Sequence, residues 1–220
     1  MVIKGELFSQ QFIPKLIDGS KTRTSRPITG KYSDSVFELY NGELCEASPE
    51  VRPVKLDSGL TRHRVRHYVP CKPKYQPGDI MYVWETYCPN YFDCFIETGW
   101  ANRNGYKADW DAEKLKSEIP EPKWVPSIHM PREAARLWLR VTDVKVQNLK
   151  DVTNDDAEQD GFITDAVICT APNGANDYTG LYAYDRFMEF WRKQYGADVN
   201  WMWVYYLEKI SREEALKDEN

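Results

Sequence analysis

Three strand-like stretches, set far apart in the chain, constrain its fold more than any other feature of the sequence. Residues 80–84 (IMYVW) are apolar on both faces, and residues 135–146 (ARLWLRVTDVKV) alternate between apolar and polar. Residues 201–210 form a third such stretch. No β-α-β rhythm connects them and no glycine-rich phosphate loop is present, so a doubly wound sheet is not favoured. The pattern predicts the α+β class, with a mixed β-barrel and short flanking helices.

Local signals predict the remaining elements. Gly19 is a helix stop after the apolar face of residues 10–18, and Thr153 with Asp156 can form a capping box at the start of a later helix. The long strand needs a bulge to keep its apolar residues in register. Further strands are predicted over residues 2–8 and 22–28, and further helices over residues 181–194 and near residues 111–117.

Turn-forming residues indicate one domain with two surface insertions. Residues 31–76 lack helical periodicity and are predicted to hold short strands. Residues 88–125 are rich in aromatic, Asn, Gly and Pro residues and form the second insertion. We expect a single domain over residues 1–210, followed by a charged tail over residues 211–220 that frays.

Charge, hydropathy and cysteine usage exclude several classes of protein. The net charge is −5, which argues against a protein that coats nucleic acid through bulk electrostatics. The longest apolar run, residues 201–207, is far shorter than the roughly 20 residues of a membrane helix. The cysteines are scattered with no C-x-x-C pair, as in reduced cytoplasmic proteins. We therefore expect a cytoplasmic protein that crosses no membrane and holds no metal or cofactor.

Residues 61–75 (TRHRVRHYVPCKPKY) form a basic segment in this acidic chain. No acidic residue stands between Asp57 and Asp79. The segment is either a solvated hairpin or loop, or a contact for a nucleic-acid backbone. His63, His67 and Cys71 within it are evenly spaced, but Pro70 argues against the helix that a metal site with this spacing needs. The cations of the segment are Arg62, Arg64, Arg66, Lys72 and Lys74.

The densest polar cluster is the run Gly19–Arg26 (GSKTRTSR), directly after the predicted helix stop. A lysine beside a hydroxyl can take its proton when burial lowers the lysine pKa, and Thr or Ser then becomes a nucleophile. Lys21 and Thr24 can converge if Lys21 still lies in the turn before the strand. The alternative is a polar edge strand in which Lys21 interacts with the end of the preceding helix.

This run resembles the G-x-K-T-x-T-x-R signature of the ASCH family, whose members are small PUA-like barrels. Three more segments resemble the phage and prophage branch of that family, and together they follow in the same order along nearly the whole chain. These segments are Pro77-Gly78-Asp79 leading into Val83-Trp84-Glu85-Thr86-Tyr87, then Pro126-Ser127-Ile128-His129-Met130-Pro131-Arg132 before Arg136, and the closing Trp201-Met202-Trp203-Val204.

The resemblance implies recognition of RNA or modified nucleic acid, and some ASCH members are amidohydrolases that deacetylate N4-acetylcytidine. In those enzymes the chemistry belongs to the lysine and second threonine of the signature and to a glutamate on the helix after the long strand. Lys21 and Thr24 match the first two. The carboxylate here falls on Asp160, one methylene shorter, while Glu158 points to another side of the helix.

His129 lies in a proline-bracketed loop that enters the long strand, where a side chain can be directed at a ligand. It can stack on a base or shuttle a proton, or it can hydrogen-bond the backbone of its own loop. We expect Lys21, Thr24 and His129 to line one concave site. The residues expected to bind the nucleotide are Arg26, Trp84, Glu85, Ser127, His129, Arg132 and Arg136.

The leading function predicted from the sequence is recognition of RNA, DNA or a modified nucleoside. In the enzymatic alternative Thr24 attacks an acyl group or orients water, Lys21 takes the proton, and Asp160 protonates the departing amine. A binding adaptor is the rival, in which Lys21, Arg26, Arg132 and Arg136 hold phosphate without a reaction. A ribonuclease is the third alternative, with Lys21 and His129 as its acid–base candidates.

Overall fold

The structure of the chain, a computed structural model, describes residues 1–30, 36–47, 54–55, 61–62, 68–92, 102–109, 123–165, 167–170, 176–179 and 181–217. Its architecture is mixed α+β. Within the described residues one five-stranded sheet is accompanied by four sheets of two or three strands and by a few short helices. The α+β class predicted from the sequence is therefore confirmed.

The strands and helices are numbered here in chain order. The strands are β1 (Ile3–Leu7), β2 (Arg23–Pro27), β3 (Val36–Tyr40), β4 (Glu43–Ala47), β5 (Val54–Lys55), β6 (Thr61–Arg62), β7 (Tyr68–Pro70), β8 (Ile80–Trp84), β9 (Tyr87–Phe92), β10 (Asn102–Tyr106), β11 (Trp138–Asn148), β12 (Val167–Thr170), β13 (Asn176–Thr179) and β14 (Trp201–Ile210). The α-helices are α1 (Ile13–Asp18), α2 (Asn154–Gln159), α3 (Ala183–Tyr195) and α4 (Arg212–Lys217). Short 3-10 helices cover Gln10–Phe12, Lys107–Asp109, Ser127–His129, Arg132–Ala134 and Leu149–Asp151.

The five-stranded sheet contains the three strands that the sequence makes most evident. Its order is β1-β8-β11-β14-β2, with β1 and β8 parallel and the other neighbours antiparallel. Strand β8 is buried on both faces, since Ile80, Met81 and Val83 are at most 1% exposed. Strand β11 has its register shift between Val141 and Asp143, so the predicted bulge is confirmed.

The two edges of this sheet, β1 and β2, approach each other without a backbone ladder in the described residues. Arg26 of β2 donates from Nε to Glu6 of β1 at 3.0 Å and from Nη2 to the carbonyl of Leu7 at 2.8 Å. Side chains therefore bridge the edges that a closed barrel would join through backbone pairing. No closed barrel is formed by the strands that the structure describes.

The predicted stop of α1 and the predicted start of α2 are confirmed. Gly19 ends α1 in the left-handed conformation with φ of 81°. Thr153 and Asp156 form both halves of the capping box at the start of α2. Helix α3 buries Phe187 and Trp191 in a cluster that also contains Met202 and Val204 of β14, so this helix covers one face of the sheet.

Most predicted segments differ from the structure by one to three residues at their ends; β11, for example, covers Trp138–Asn148 rather than residues 135–146. The C-terminal segment differs in kind. Residues 212–217 form α4, with Ala215 fully buried against a cluster that includes Ile80 and Trp138, rather than a frayed tail. The described part of the first insertion consists of the short strands β3 to β7. The helix predicted near residues 111–117 lies outside the described residues. Among the helices that are described, none has the length and apolar character needed to cross a membrane.

Candidate functional site

The turn before β2 and the C-terminal end of α2 are held together by their backbones. The Lys21 amide donates to the carbonyl of Lys15 at the end of α1, at 3.0 Å. The Thr22 amide donates to the carbonyl of Gln159 at the end of α2, at 3.1 Å. Lys21 therefore precedes the strand and lies in the turn, as the sequence requires if it is to converge with Thr24.

Asp160, the residue that follows α2, is the centre of the buried polar group at this junction. Its Oδ1 accepts from Lys21 Nζ at 3.2 Å and from the Ser25 amide at 3.0 Å. Its Oδ2 accepts from Arg23 Nε at 3.0 Å and from Ser25 Oγ at 2.7 Å. All four contacts come from donors, so the carboxylate acts as an acceptor throughout.

Arg23 is the most buried cation of the group, with no exposed surface. Besides Asp160, its guanidinium donates to Asp156, to Ser25 Oγ at 3.3 Å and to Gln147 Oε1 at 3.1 Å. It thus links β2 to α2 and to β11. Because every partner is protein, Arg23 is a structural cation that orients Asp160.

Lys21 is a buried cation whose pKa lies below its ordinary value. Its ammonium is buried, donates to the carbonyl of Asp160 at 2.5 Å and lies 4.7 Å from the ring centroid of Phe12. Burial lowers the pKa of Lys21 from 10.5 to about 8, and the nearby Asp160 only partly opposes this effect. Lys21 is therefore mostly protonated near physiological pH, with a minor neutral fraction.

A cavity of about 300 Å³, called cavity one, opens beside this group. Its polar lining includes Lys21, Thr24, Ser25 and Asp160, so the three residues that the family resemblance marks for chemistry lie around one cavity. Thr24 is 2% exposed, and its hydroxyl forms no hydrogen bond with any described residue. A ligand in cavity one therefore meets a hydroxyl that is free to donate or accept.

Aromatic side chains form the other part of the lining. Phe12 and Phe162 meet edge to face with ring centroids 5.2 Å apart, and Phe190 lies 5.6 Å from each of them. Trp191 and Tyr195 of α3 continue the lining at a centroid distance of 4.7 Å. Ring faces and edges of this kind favour a planar, apolar-faced ligand.

Glu6 and Arg26 complete cavity one from the two sheet edges. Glu6 is 8% exposed and accepts from Arg26, from Lys74 Nζ at 2.5 Å and from Tyr75 Oη at 2.8 Å. Burial on its own would raise the pKa of Glu6, but Arg26, Lys74 and Tyr75 together lower it below its ordinary value. The lining of cavity one thus contains two cations and two carboxylates, so their formal charges cancel.

The other residues expected to bind nucleotide lie outside cavity one. Glu85 is 1% exposed and accepts two hydrogen bonds from Arg136, at 3.0 and 2.8 Å. Arg136 also donates to Asp109 and lies 4.0 Å from the ring centroid of Tyr106. Burial would lower the pKa of Arg136, but its bonds to Glu85 and Asp109 raise it above its ordinary value. Arg136 is thus engaged with two carboxylates.

The proline-bracketed loop adjoins this second group. The Glu85 amide contacts Met130 Sδ at 3.1 Å, and Arg132 lies 5.5 Å from the ring centroid of Trp138. Ser127 begins the short helix that contains the exposed His129. None of these residues lines cavity one.

Leu7 lies between the two groups. It pairs with Trp84 in the β1–β8 ladder, and its carbonyl accepts from Arg26. The ring of Trp84 packs over Gly5, where an added Cβ would approach it to 2.3 Å. The expectation that Lys21, Thr24 and His129 share one cavity is therefore not met. The acid–base pair considered for a ribonuclease, Lys21 and His129, is also not brought to the same cavity.

Three kinds of site residue were missed in the sequence. Glu6 belongs to an ordinary strand pattern, and nothing local marks it as a partner of Arg26. Arg23 stands in the polar run, but its burial depends on Asp156 and Asp160, which are distant in the chain. The aromatic residues of α3 lie at helical spacing, which indicates a buried face but not that this face borders a cavity.

Comparisons with known proteins give no relative for this chain: no protein-family model, no curated protein and no solved structure matches it.

Proposed function

We propose that this chain is a PUA-like protein of ASCH type that recognises a nucleobase in RNA, DNA or a modified nucleoside, with cavity one as the base-binding site. The observation that carries the proposal is the convergence of Lys21, Thr24 and Asp160 with an aromatic lining in a cavity of about 300 Å³. A site of this size is at the small end for organic ligands and takes one nucleoside-sized molecule.

The chemistry of the lining fits a base better than a phosphate. The charges of Lys21 and Arg26 are balanced by Asp160 and Glu6. Free polar atoms such as the Thr24 hydroxyl can read the edge of a base, while the rings pack against its faces. The finer fold assignment rests on the same region, since the Arg26 bridge brings the sheet edges together as in a barrel wall.

Two features support the proposal of a cytoplasmic protein that binds nucleic acid. Cys45, Cys71 and Cys88 are free thiols, as in proteins of a reducing cytoplasm. The described end of the basic segment, residues 68–75, lies against the Glu6–Arg26 bridge through Lys74. Nucleic acid is therefore the partner that we propose.

The hydrolytic alternative is supported by one observation, the lowered pKa of Lys21 beside the free Thr24 hydroxyl. In this alternative the neutral Lys21 amine takes the proton of Thr24, or of water, as that oxygen attacks the acyl carbon. The Lys21 ammonium then returns the proton to the departing amine of the base. If Thr24 is the nucleophile, water next hydrolyses the acyl-threonine ester, which releases the acid and restores the hydroxyl. Asp160 holds Lys21 in place in this scheme, because its four donors occupy the carboxylate.

The test is calorimetric titration of the purified chain with the four ribonucleosides and with N4-acetylcytidine, with product analysis of the same samples. We expect at least one nucleoside to bind, and Thr24→Val to weaken its binding, because valine keeps the shape and removes the hydroxyl. Thr22→Val is the matched control, since Thr22 is exposed and does not line cavity one.

Three outcomes decide between the alternatives. Binding that depends on Thr24, with no deacetylated product, supports recognition without catalysis. Product that disappears in both Thr24→Val and Lys21→Met supports the hydrolase. Absence of nucleoside binding, together with equal behaviour of Thr22→Val and Thr24→Val towards oligonucleotides, contradicts the proposal that cavity one binds a base.

A further inference from the structure

A second and larger cavity of about 470 Å³, called cavity two, adjoins cavity one. Glu6 and Arg26 line both cavities, so the bridge between the sheet edges is also the boundary between the two spaces. Nothing in the base-binding proposal uses cavity two.

Arg26 leaves part of its guanidinium available at this boundary. Nε donates to Glu6 and Nη2 to the Leu7 carbonyl, whereas Nη1 has no hydrogen bond with any described residue. The side chain is 27% exposed and lies over the ring of Phe8, 5.1 Å from its centroid. Arg26 is thus fixed in place, while both N–H groups of Nη1 form no hydrogen bond with a described residue.

The lining of cavity two carries further positive charge from the end of the basic segment. Lys72 forms no ion pair with any residue that the structure describes, and Lys74 bonds Glu6, which Arg26 already neutralises. Arg26, Lys72 and Lys74 thus exceed Glu6 and Glu46, the two acidic residues of the lining. An anion placed between Arg26 and Lys72 meets donors that the protein itself does not use.

Cavity two also offers a surface for a second base. Trp203 is partly exposed there, beside the buried rings of Tyr75 and Tyr205. Base stacking on aromatic side chains contributes to single-strand binding with little dependence on the identity of the base.

We propose that cavities one and two are consecutive subsites for one nucleic-acid strand. The recognised base enters cavity one, the phosphodiester lies at Arg26 and Lys72, and the neighbouring nucleotide occupies cavity two. The ligand is therefore a single strand of at least two nucleotides, since a base must leave a duplex stack to reach a cavity. This inference rests on the proposed function of cavity one.

The test compares four ligands that contain the same base: the nucleoside, its 5′- and 3′-monophosphates, and the dinucleoside monophosphate. Each series is titrated for all four bases, as ribose and deoxyribose forms. We expect the dinucleoside monophosphate to bind at least about tenfold more tightly than the nucleoside. Its affinity should fall as the salt concentration rises, because salt screens the phosphate contact.

Lys72→Ala tests the phosphate position. It should reduce affinity for the dinucleoside monophosphate severalfold, make that affinity less sensitive to salt and leave nucleoside affinity unchanged. Lys150→Ala is the matched control, because Lys150 is exposed and lines neither cavity. Lys72→Glu should weaken the dinucleoside monophosphate further, since it reverses the charge.

The outcomes separate this inference from the proposed function. Nucleoside binding that depends on Thr24, with no gain for the dinucleoside monophosphate and no effect of Lys72→Ala, overturns the strand proposal and leaves cavity one as a nucleoside site. A monophosphate that binds as tightly as the dinucleoside monophosphate also overturns it, because the second nucleoside then adds nothing. Binding of no member of the series contradicts both proposals.

Discussion

Lys21 and Asp160 form a buried ion pair in which each side chain holds the other in position. The carboxylate receives four donors, and the ammonium is withdrawn from water between Asp160 and the ring of Phe12. The pair therefore positions a lysine of lowered pKa in the lining of the cavity that also contains the Thr24 hydroxyl, which bonds no described residue. Such an arrangement serves recognition of a base edge or proton transfer equally well.

The pH dependence of stability tests the state of Lys21. Because the pKa of Lys21 is lowered from 10.5 to about 8, the unfolded chain binds more protons than the folded chain between these values. The contribution of Lys21 to the free energy of unfolding should therefore rise with pH across this window, by up to about 3 kcal/mol. Urea unfolding of the wild type and of Lys21→Met, from neutral to alkaline pH, measures it.

The expected result is a difference between the two proteins that shifts in favour of the wild type as pH rises. The variant lacks the titrating group, so other lysines affect both curves alike. A difference that stays constant across the window would show that Lys21 titrates normally in the folded chain.

Arg136 gives a second prediction at the scale of single residues. Arg136→Ala leaves the buried Glu85 carboxylate without its bidentate partner, so we expect a loss of about 3 kcal/mol in the free energy of unfolding. Arg140→Ala is the control: Arg140 pairs with Glu208 and Glu214, which are exposed, and we expect less than about 1 kcal/mol. Denaturant unfolding measures both.

Nucleoside affinity of the same variants shows whether Arg136 also contacts ligand. We expect no change, because Arg136 does not line cavity one. A stable Arg136→Ala protein with weakened binding would instead place ligand at the Glu85 side of β1.

At the scale of elements, the turn after α2 controls the position of Lys21. Gly161 has φ of 93°, and an added Cβ would approach Phe12, Lys15 and Lys21 to 3.2–3.3 Å. Gly161→Ala should therefore lower the free energy of unfolding by more than the roughly 1–2 kcal/mol of the left-handed backbone alone, and should weaken nucleoside binding. Thermal unfolding and titration measure the two effects.

Gly42→Ala separates the backbone effect from the contact effect. Gly42 has φ of 84° and nothing within 4 Å of an added Cβ. Gly42→Ala should therefore lower the free energy of unfolding only through the strain of the left-handed backbone. Equal losses in the two variants, with binding intact in both, would show that the Gly161 contacts do not position Lys21.

Sequence patterns predict the elements of this chain better than its site. The strand β8, the bulge in β11, the capping box of α2 and the extent of β14 are set by local periodicity and local hydrogen bonds, so they were predicted from sequence. Helix α4 was missed because its stability depends on burial of Ala215 against distant residues such as Trp138. A charged sequence alone does not reveal such a contact.

The candidate site shows the same difference: local motifs were visible in the sequence, whereas contacts between distant residues were not. The Gly19–Arg26 run indicated Lys21 and Thr24, and the resemblance indicated Asp160, because these lie in recognisable motifs. His129 was grouped with them, but it does not line cavity one, and Met130 of its loop contacts Glu85 instead. Glu6 and the aromatic lining were not grouped at all, because side-chain contacts between β1, β2 and α3 depend on how the elements pack.

At the scale of the whole molecule, the Glu6–Arg26 bridge holds the two sheet edges and the segment before β8 together. Because the pKa of Glu6 is lowered in the folded chain, its carboxylate stabilises the fold above its unfolded pKa, and this stabilisation is lost as pH falls through the folded pKa. We therefore expect wild type to lose more stability than Glu6→Gln on acidification. Urea unfolding at about pH 6 and about pH 3 measures the difference.

Glu43→Gln controls for the removal of a carboxylate, because Glu43 is exposed. It should follow the wild-type pH dependence. If Glu6→Gln also follows it, the bridge contributes nothing to stability that depends on charge.

The pairing of β2 with β14 has a consequence for when the site around Lys21 forms during synthesis. Strand β2, which leads directly from Lys21, pairs over residues 23–27 with residues 202–206 of the last strand. Lys21 also needs Asp160, 139 positions later in the chain. Contacts of such long sequence separation form slowly, and a nascent chain cannot make them until its C-terminal strand has left the ribosome. The β2–β14 pairing therefore forms only after residues 202–206 have left the ribosome, and a ribosome-bound chain halted before β14 lacks the strand with which β2 pairs.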